Sequence, residues 1–367
     1  MPGQYVSDNI AMSSDNRGTV TEVTEPQPPT PVASGRAATI YDVAAVAGVS
    51  HQTVSRFLTG FSGIRPETRA RVEAALAELD YQPNLSARSL KSGRPHRIGA
   101  LVHDETENGP SLTAHGATME ARESGYLLDL ISLDAHDRDS IEKTLALIGP
   151  NSLAGVLALA STDEMVRAFD AARFTTPAFV HTEADDTRLA KTDVSRVGIP
   201  ALIAHLRDLG HRRVAHVAGP ANWSSGRNRA RAFAAAVDEF GLAHAGELAG
   251  DWSARSGFEA LAGLEALPDA TAYVVANDQM AIGTILALKR RGLRVPGDVS
   301  VVGIDDLPES AYIDPPLTTL RVDHAARGRE AVASLIGQIE GVAPRPVHIE
   351  VPHVVVRESS GPAPAHR

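Results

Sequence analysis

Four polar side chains, His51, Gln52, Ser55 and Arg56, fall on one side of a segment whose other side is Val54, Phe57 and Leu58. Short polar groups near a helix N-terminus reach base edges, and an arginine bonds guanine bidentately or sits on a phosphate. The segment therefore predicts contact with duplex DNA; as a bare pattern it also describes a capped helical hairpin with a polar face. A second polar set stands at the ends of apolar runs. His103 ends IGALVH, His181 ends PAFVH, Asn277 and Asp278 follow AYVVA, and Asp305 and Asp306 close VSVVGIDD. Ser225 and Arg229 open the helical stretch after RVAHVAG, and Trp252 follows ELAGD. Asn, Asp and Arg supply paired donors and acceptors for hydroxyl groups, and Trp supplies a flat apolar face for the C–H surface of a sugar ring. Each of these residues alone also suits a helix cap or a polar surface position.

The elements that position the first set are short helices. Thr39 caps a helix with Asp42 as its reciprocal partner, Val43 and Val46 form the apolar side, and Gly48 ends it. Val49 is the turn residue and Ser50 caps the second helix, which makes a helix-turn-helix. Pro66 starts a third helix, Glu67 to Tyr81, with Val72, Leu76 and Leu79 on one face, and Pro83 stops it. Asn84 to Ser92 reads as one more short helix, capped by Asn84 and ended by Gly93. It is too short to hold itself in water and is expected to form only against something.

From Ile98 onward strands alternate with helices. IGALVH, YLLDLIS, AGVLALA, PAFVH, RVAHVAG, AYVVA and VSVVGID are apolar, β-branched runs. Helical stretches fall near 111–123, 139–148, 163–172, 197–209, 226–240 and 278–291. Nearly continuous apolar strands separated by helices imply parallel sheets covered on both faces, and the length fits two of them. Ligands of such sheets sit outside the carboxyl ends of the strands.

The run TIYDVAAVAGVSHQTVSRFLTG followed by IRPETRARVEAALAELDYQPNLSARSL resembles the DNA-binding headpiece and hinge of the lactose-repressor family of bacterial transcription regulators. The likeness continues through LGHRRVAHVAGP, GDWSARSGF, VVANDQMAIG, LRVPGDVSVVGIDD and PPLTTLRVD, covering roughly 38–357, and several segments resemble the family's namesake more than an average relative. It implies an all-α headpiece with a hinge helix, joined to an α/β body of the periplasmic-binding-protein kind. The expected division is a disordered extension at 1–37, the helix-turn-helix domain at 38–83, a hinge and linker at 84–97, the effector and dimerisation domain at 98–357, and a disordered tail at 358–367. Within the body the resemblance implies one subdomain of 98–191 plus 323–340 and a second of 192–322 plus 341–357.

The resemblance also implies roles. His51, Gln52 and Arg56 would carry the choice of sequence, Thr39, Tyr41, Ser50, Thr53 and Asn84 would mainly hold phosphates, and Ser55 and Ala87 are expected among the DNA-binding residues. Leu90 would wedge between base pairs at the operator centre. Arg229, Asn277, Asp305 and Ser225 match residues that bond ligand hydroxyls, and Trp252 matches one that stacks on the sugar. The sequence departs from the namesake at His103, His181, Asp193 and His324, where a small hydroxyl residue, an acid and two aromatics are expected. The retained half of the pocket predicts a galactoside-like saccharide; the rewritten half leaves its identity open. The histidines predict effector affinity that varies with pH near neutrality.

The expected function is a repressor of a sugar-utilisation operon, a homodimer on double-stranded operator DNA, released by a small saccharide inducer. A corepressor or a non-sugar metabolite is the alternative effector, and a sugar-binding transport protein a remoter alternative. Charge agrees with a DNA-reading head: the chain carries −10 overall, but residues 36–97 carry +4, leaving −14 for the rest. The cysteine count is zero, no apolar run approaches membrane-spanning length, and the start lacks a signal-peptide layout, so a cytoplasmic, nucleoid-associated protein is expected. The phosphate-loop, dinucleotide, nucleophile-elbow and HExxH patterns of common enzymes are missing, and no cofactor or metal is expected. His211 and His216 read as loop and strand surface. The ending VVVRESSGPAPAHR, without a leucine heptad, predicts a dimer and not a tetramer.

Overall fold

The computed structural model describes residues 38–58, 61, 63–81, 95–103, 108–134, 137–147, 153–159, 162–181 and 193–365. The chain divides into two compact units, 1–83 and 84–367. The proposed N-terminal extension and the hinge residues Asn84, Ala87 and Leu90 lie outside the described residues.

The first unit holds α1 (Ile40–Ala47), α2 (His51–Leu58) and α3 (Pro66–Glu78). The expected capping box is present: the Asp42 N–H points at the Thr39 hydroxyl, and the Thr39 N–H donates to the Asp42 carboxylate at 2.7 Å. Gly48 takes φ 62°, the left-handed turn that a side chain would resist. The buried side of α1 is Val43, Ala44 and Ala47; Val46 is 47% exposed, which corrects its expected place in the core. These residues close on Val54, Val72 and Ala75, with Phe57, Leu58, Leu76, Leu79 and Tyr81 around them.

The second unit contains two sheets. The first joins β1 (Arg97–His103), β2 (Leu127–Leu133), β3 (Gly155–Leu159) and β4 (Ala178–His181) in the order β2-β1-β3-β4, all parallel. Its helices are α4 (Asn108–Glu123), α5 (Arg138–Leu147) and α6 (Asp163–Ala171). The second sheet holds β5 (Arg213–Ala218), β6 (Ala243–Ala249), β7 (Ala272–Val275), β8 (Ser300–Asp305), β9 (Thr318–Arg321) and β10 (His353–Val355). Read from β6, its order is β6-β5-β7-β8-β9-β10, so both sheets repeat one winding, and only β10 runs antiparallel. Its helices are α7 (Ile199–Asp208), α8 (Ser224–Glu239), α9 (Ala254–Ala262) and α10 (Asp278–Arg290). The last long helix, α11 (His324–Glu340), leaves the second sheet and packs on α4, β3 and β4 of the first.

The apolar strand runs are explained by burial on both faces. Ile98, Ala100, Leu157 and Leu159 meet α4 and α11, while Leu101, Val156 and Ala158 meet the opposite layer of Ile141, Met165 and Phe169. The second sheet has the same two-sided core. The expected disordered tail is corrected over 358–365. Ser359 is fully buried: its hydroxyl donates to the Val301 carbonyl at 2.6 Å and accepts from the Thr318 N–H at 2.8 Å. Further along, the Ala363 N–H donates to the Leu209 carbonyl.

Candidate effector site and base-reading helix

On α2 the exposed side chains are Gln52 and Arg56; His51 and Ser55 are half-buried, and Val54 is fully buried. Ser50 Oγ accepts from the Thr53 N–H at 3.2 Å and caps the helix. Tyr41 is 65% exposed, and its ring lies 5.1 Å from that of His51. The expected DNA-facing residues of α1 and α2 thus form a polar surface at the helix start, with Arg56 also over the Phe61 ring.

In the second unit a recess of about 140 Å³ opens at the carboxyl ends of both sheets. Every wall comes from a strand end or the helix that follows it. The first-sheet side supplies Leu159, His181 and the start of α4, and α11 adds His324 and Arg327. The second-sheet side supplies Trp223, Ser225, Arg229, Trp252, Asn277, Gln279 and Asp305. The winding explains this convergence, since a parallel sheet delivers each chain to the same edge before turning it into a helix.

Seven of the nine residues expected at the effector site, His181, Ser225, Arg229, Trp252, Asn277, Asp305 and His324, line this recess. Asp193 does not. Its carboxylate accepts from the Ser195 and Arg196 N–H groups at 2.6 and 3.1 Å and caps a π-turn, so it is spent on backbone. The backbone of His103 ends β1, but its side chain lies outside what is described. Trp223, Gln279 and Arg327 line the recess without having been singled out in the sequence.

The second-sheet wall is closely knit. Asn277 Oδ1 caps α10 by accepting from the Met280 N–H, and its Nδ2 donates to the Trp252 carbonyl at 2.9 Å. Arg229 donates to the Ala276 carbonyl, stands 3.6 Å from Asp305 and covers the Trp252 ring at 5.3 Å. Asp305 accepts from His324 Nε2 at 3.0 Å. Trp252 and Asp305 hold φ of 76° and 119°, a region that side chains resist, and such strain is characteristic of functional sites. Arg229 Nε and Trp252 Nε1 are buried without a hydrogen-bond partner, so the wall keeps donors in reserve. Across the recess the two sheets' subdomains also touch: Arg227 forms a bidentate ion pair with Asp163, both bonds 2.8 Å.

Burial first, and then the neighbouring Arg327 and His324, push the His181 pKa down to about 4. This imidazole is therefore neutral throughout the range near neutrality, and the structure removes it from the expected pH switch. The unfolded ring takes its proton near pH 6.5 and the folded one only near 4. His181 thus contributes stability that is complete above 6.5 and lost as pH falls toward 4. Thermal unfolding across that window should show a shallower acid loss in His181→Gln than in the parent; equal slopes would refute the assignment. His211 and His216, expected at the surface, are buried instead. The first bonds Thr271, Ser300 and the Gly361 carbonyl, and the second bonds Glu247 and stacks on Phe233.

Comparison with known proteins gives the same two-part picture. Residues 39–84 match the family model for bacterial regulatory proteins of the lacI family, and residues 203–360 match a periplasmic binding protein-like domain. The chain is 33% identical to the lactose operon repressor of Escherichia coli (strain K12) over 314 residues, spanning 83% of this chain and 86% of that protein. It is also 33% identical to the ribose operon repressor of the same strain over 309 residues, spanning 82% and 93%. A crystal structure of the lac repressor dimer bound to operator and the anti-inducer ONPF aligns with a TM-score of 0.69 at 30% identity, over 89% of this chain and all of that one. The two curated relatives share one identity figure while their names differ in the sugar, so likeness alone does not choose the effector.

Proposed function

The chain belongs to the lacI family of bacterial regulatory proteins, and from that premise we propose that it is a dimeric repressor that binds a near-palindromic operator and is released by a small saccharide. The observation that carries this reading is the pairing of a capped helix exposing Gln52 and Arg56 with a recess walled by Trp252, Arg229, Asn277 and Asp305. The first is the chemistry of base edges and phosphates. The second offers a ring face beside hydroxyl partners. It favours a pyranoside, galactoside-like at the retained wall, over a flat base.

We read the chain as a regulator and not as a catalyst. A ligand that draws the two subdomains together moves the segments leading to the headpieces. The proposed hinge at 84–92 is too short to stay helical alone, so closure would cost it its partner. Saccharide and operator then bind antagonistically, and linkage makes the antagonism reciprocal.

Gel shift with a selected operator tests the reading. Protein held on the duplex should be released by a saccharide that also raises the unfolding temperature of the free protein, and operator should weaken saccharide binding by the same factor. A stabilising sugar that tightens the DNA complex would replace release with corepression. Failure to select any duplex would overturn the DNA-binding reading.

A further inference from the structure

We propose that Trp223 is a wall of the effector site that the sugar must touch, and that Arg227 and Asp163 position it by clasping the two subdomains together at that point. This rests on the recess being the effector site.

Trp223 is an unfavourable residue where it stands. It holds the N-cap position of α8, which serine, threonine, asparagine and aspartate fill best because their oxygens accept from the first helix N–H groups. An indole has no such acceptor, and the Trp223 side chain makes no cap bond. Its ring instead lines the recess and meets the Trp252 ring edge-on, with centroids 5.7 Å apart and planes at 62°. The chain's two tryptophans thus form an apolar corner at one place. A pyranose offers its C–H face to one ring and the C–H bonds of its edge to the other. A local preference given up at a ligand site, with no local gain, points to a gain made with the ligand.

The backbone around Trp223 is tied to the opposite subdomain. Thr162 and Trp223 form an antiparallel bridge, and the Asp163 N–H, at the start of α6, donates to the Asn222 carbonyl at 3.1 Å. Arg227, in the first turn of α8, closes the same corner. It donates to both Asp163 carboxylate oxygens at 2.8 Å and to the Ala221 carbonyl at 2.8 Å. The two side chains are 26% and 36% exposed, and a bidentate guanidinium–carboxylate pair is the strong and directional form of such a contact. The turn between has no slack. A Cβ on Gly226 would lie 2.2 Å from the Pro220 carbonyl oxygen, and one on Gly219 would lie 2.2 Å from the Trp252 ring. Drawing Thr162 and Asp163 away therefore pulls on the turn and the indole together. The arrangement that presents Trp223 to a sugar is the clasped one, and a ligand shifts a protein toward the state it binds better.

The test is calorimetric titration of the full chain with ribose, glucose, galactose and the methyl galactosides, with and without the selected operator. Trp223→Leu should weaken the sugar that binds by about tenfold or more, the ordinary loss when an aromatic wall is cut back. Trp223→Phe, which keeps a ring there, should lose less. Arg227→Met should weaken binding by about three- to tenfold through a smaller clasped fraction. It should also lower the factor by which sugar and operator oppose each other, and Arg227→Lys should recover part of both. That factor is a ratio of affinities, so a general loss of stability does not move it. Unchanged affinity in Trp223→Leu overturns the contact, and an unchanged factor in Arg227→Met overturns the clasp; either leaves the saccharide reading standing. If no sugar of the panel binds the parent, the saccharide reading and the contact fall together, and quenching judges the clasp. In a Trp252→Phe background Trp223 is the remaining tryptophan, and Arg227→Met should make its emission more accessible to acrylamide. Equal quenching with and without Arg227 overturns the clasp.

Discussion

Gly328→Ala should destabilise the second unit by about 2–3 kcal/mol, the upper range for overpacking a core, and lower its unfolding temperature by several degrees. Helices α4 and α11 cross where Gly116 and Gly328 meet the opposite backbone. A Cβ on Gly328 would lie 1.9 Å from the Thr113 carbonyl oxygen, and one on Gly116 would lie 1.9 Å from that of Ala325. Both obstacles are main chain, so no rotamer change relieves them, and the helices must part. Alanine returns about 1 kcal/mol of helix propensity, which is smaller than the packing loss. Parting also loosens Ala114, Ala117, Ala331 and Val332, which fill the layer between these helices and the first sheet. The same helices carry Thr113, His324 and Arg327 into the recess, so effector affinity should fall alongside stability. Gly263→Ala is the control: its Cβ would meet nothing nearer than 3.9 Å, and its φ is not in the left-handed region. Denaturant unfolding of the two variants compares them directly. A Gly328→Ala protein as stable as Gly263→Ala would show that the crossing yields more easily than its geometry implies.

The elements with local signatures were legible in the sequence, and those defined by distant partners were not. The Thr39 and Asp42 capping box, Gly48 at the turn and the seven apolar strand runs each announce themselves within a few residues. Strand β6, AHAGELA, lacks an apolar run because it is a half-exposed edge, and only its ELA end showed. In α1 the small side chains Ala44 and Ala47 fill the core while the larger Val46 faces out, a choice that periodicity over eight residues does not resolve. The segment 358–365, with its Ser, Gly and Pro, reads as a frayed tail because its anchors, Val301, Thr318 and Leu209, are far away in the chain. His211 and His216 misled for the same reason, since Thr271, Ser300, Gly361 and Glu247 are also remote.

The recess shows the same split. Its strand-end residues were found because a polar side chain after an apolar run is visible locally. Asp193 was taken for a wall residue, yet its neighbours' N–H groups claim it, and an aspartate just before a helical turn carried that signal. Arg327 was missed although it stands three residues after His324, one helical turn on and on the same face. Trp223 was missed despite being one of two tryptophans in the chain.

Arg229→Met should abolish effector response by weakening saccharide binding about a hundredfold or more, while operator binding survives. The buried guanidinium holds the Ala276 carbonyl, covers Trp252 and balances Asp305, whose side chain is 7% exposed. Methionine keeps much of the volume but leaves Asp305 with His324 alone. An uncompensated buried charge costs about 3–5 kcal/mol, so the variant should also unfold earlier. For the ligand, losing the donors that face its oxygens removes charged hydrogen bonds worth about 1.5–3 kcal/mol each, which sets the expected loss of affinity. In gel shift the complex should persist at sugar concentrations that release the parent. The partner substitution separates a lost contact from general damage. Asp305→Asn removes the charge that Arg229 balances, so in the double variant Arg229→Met should cost much less stability than it does alone. Denaturant unfolding of the two single variants and the double closes the cycle. If the two costs simply add, Arg229 and Asp305 act independently, and the 3.6 Å ion pair is not what holds this wall of the recess together.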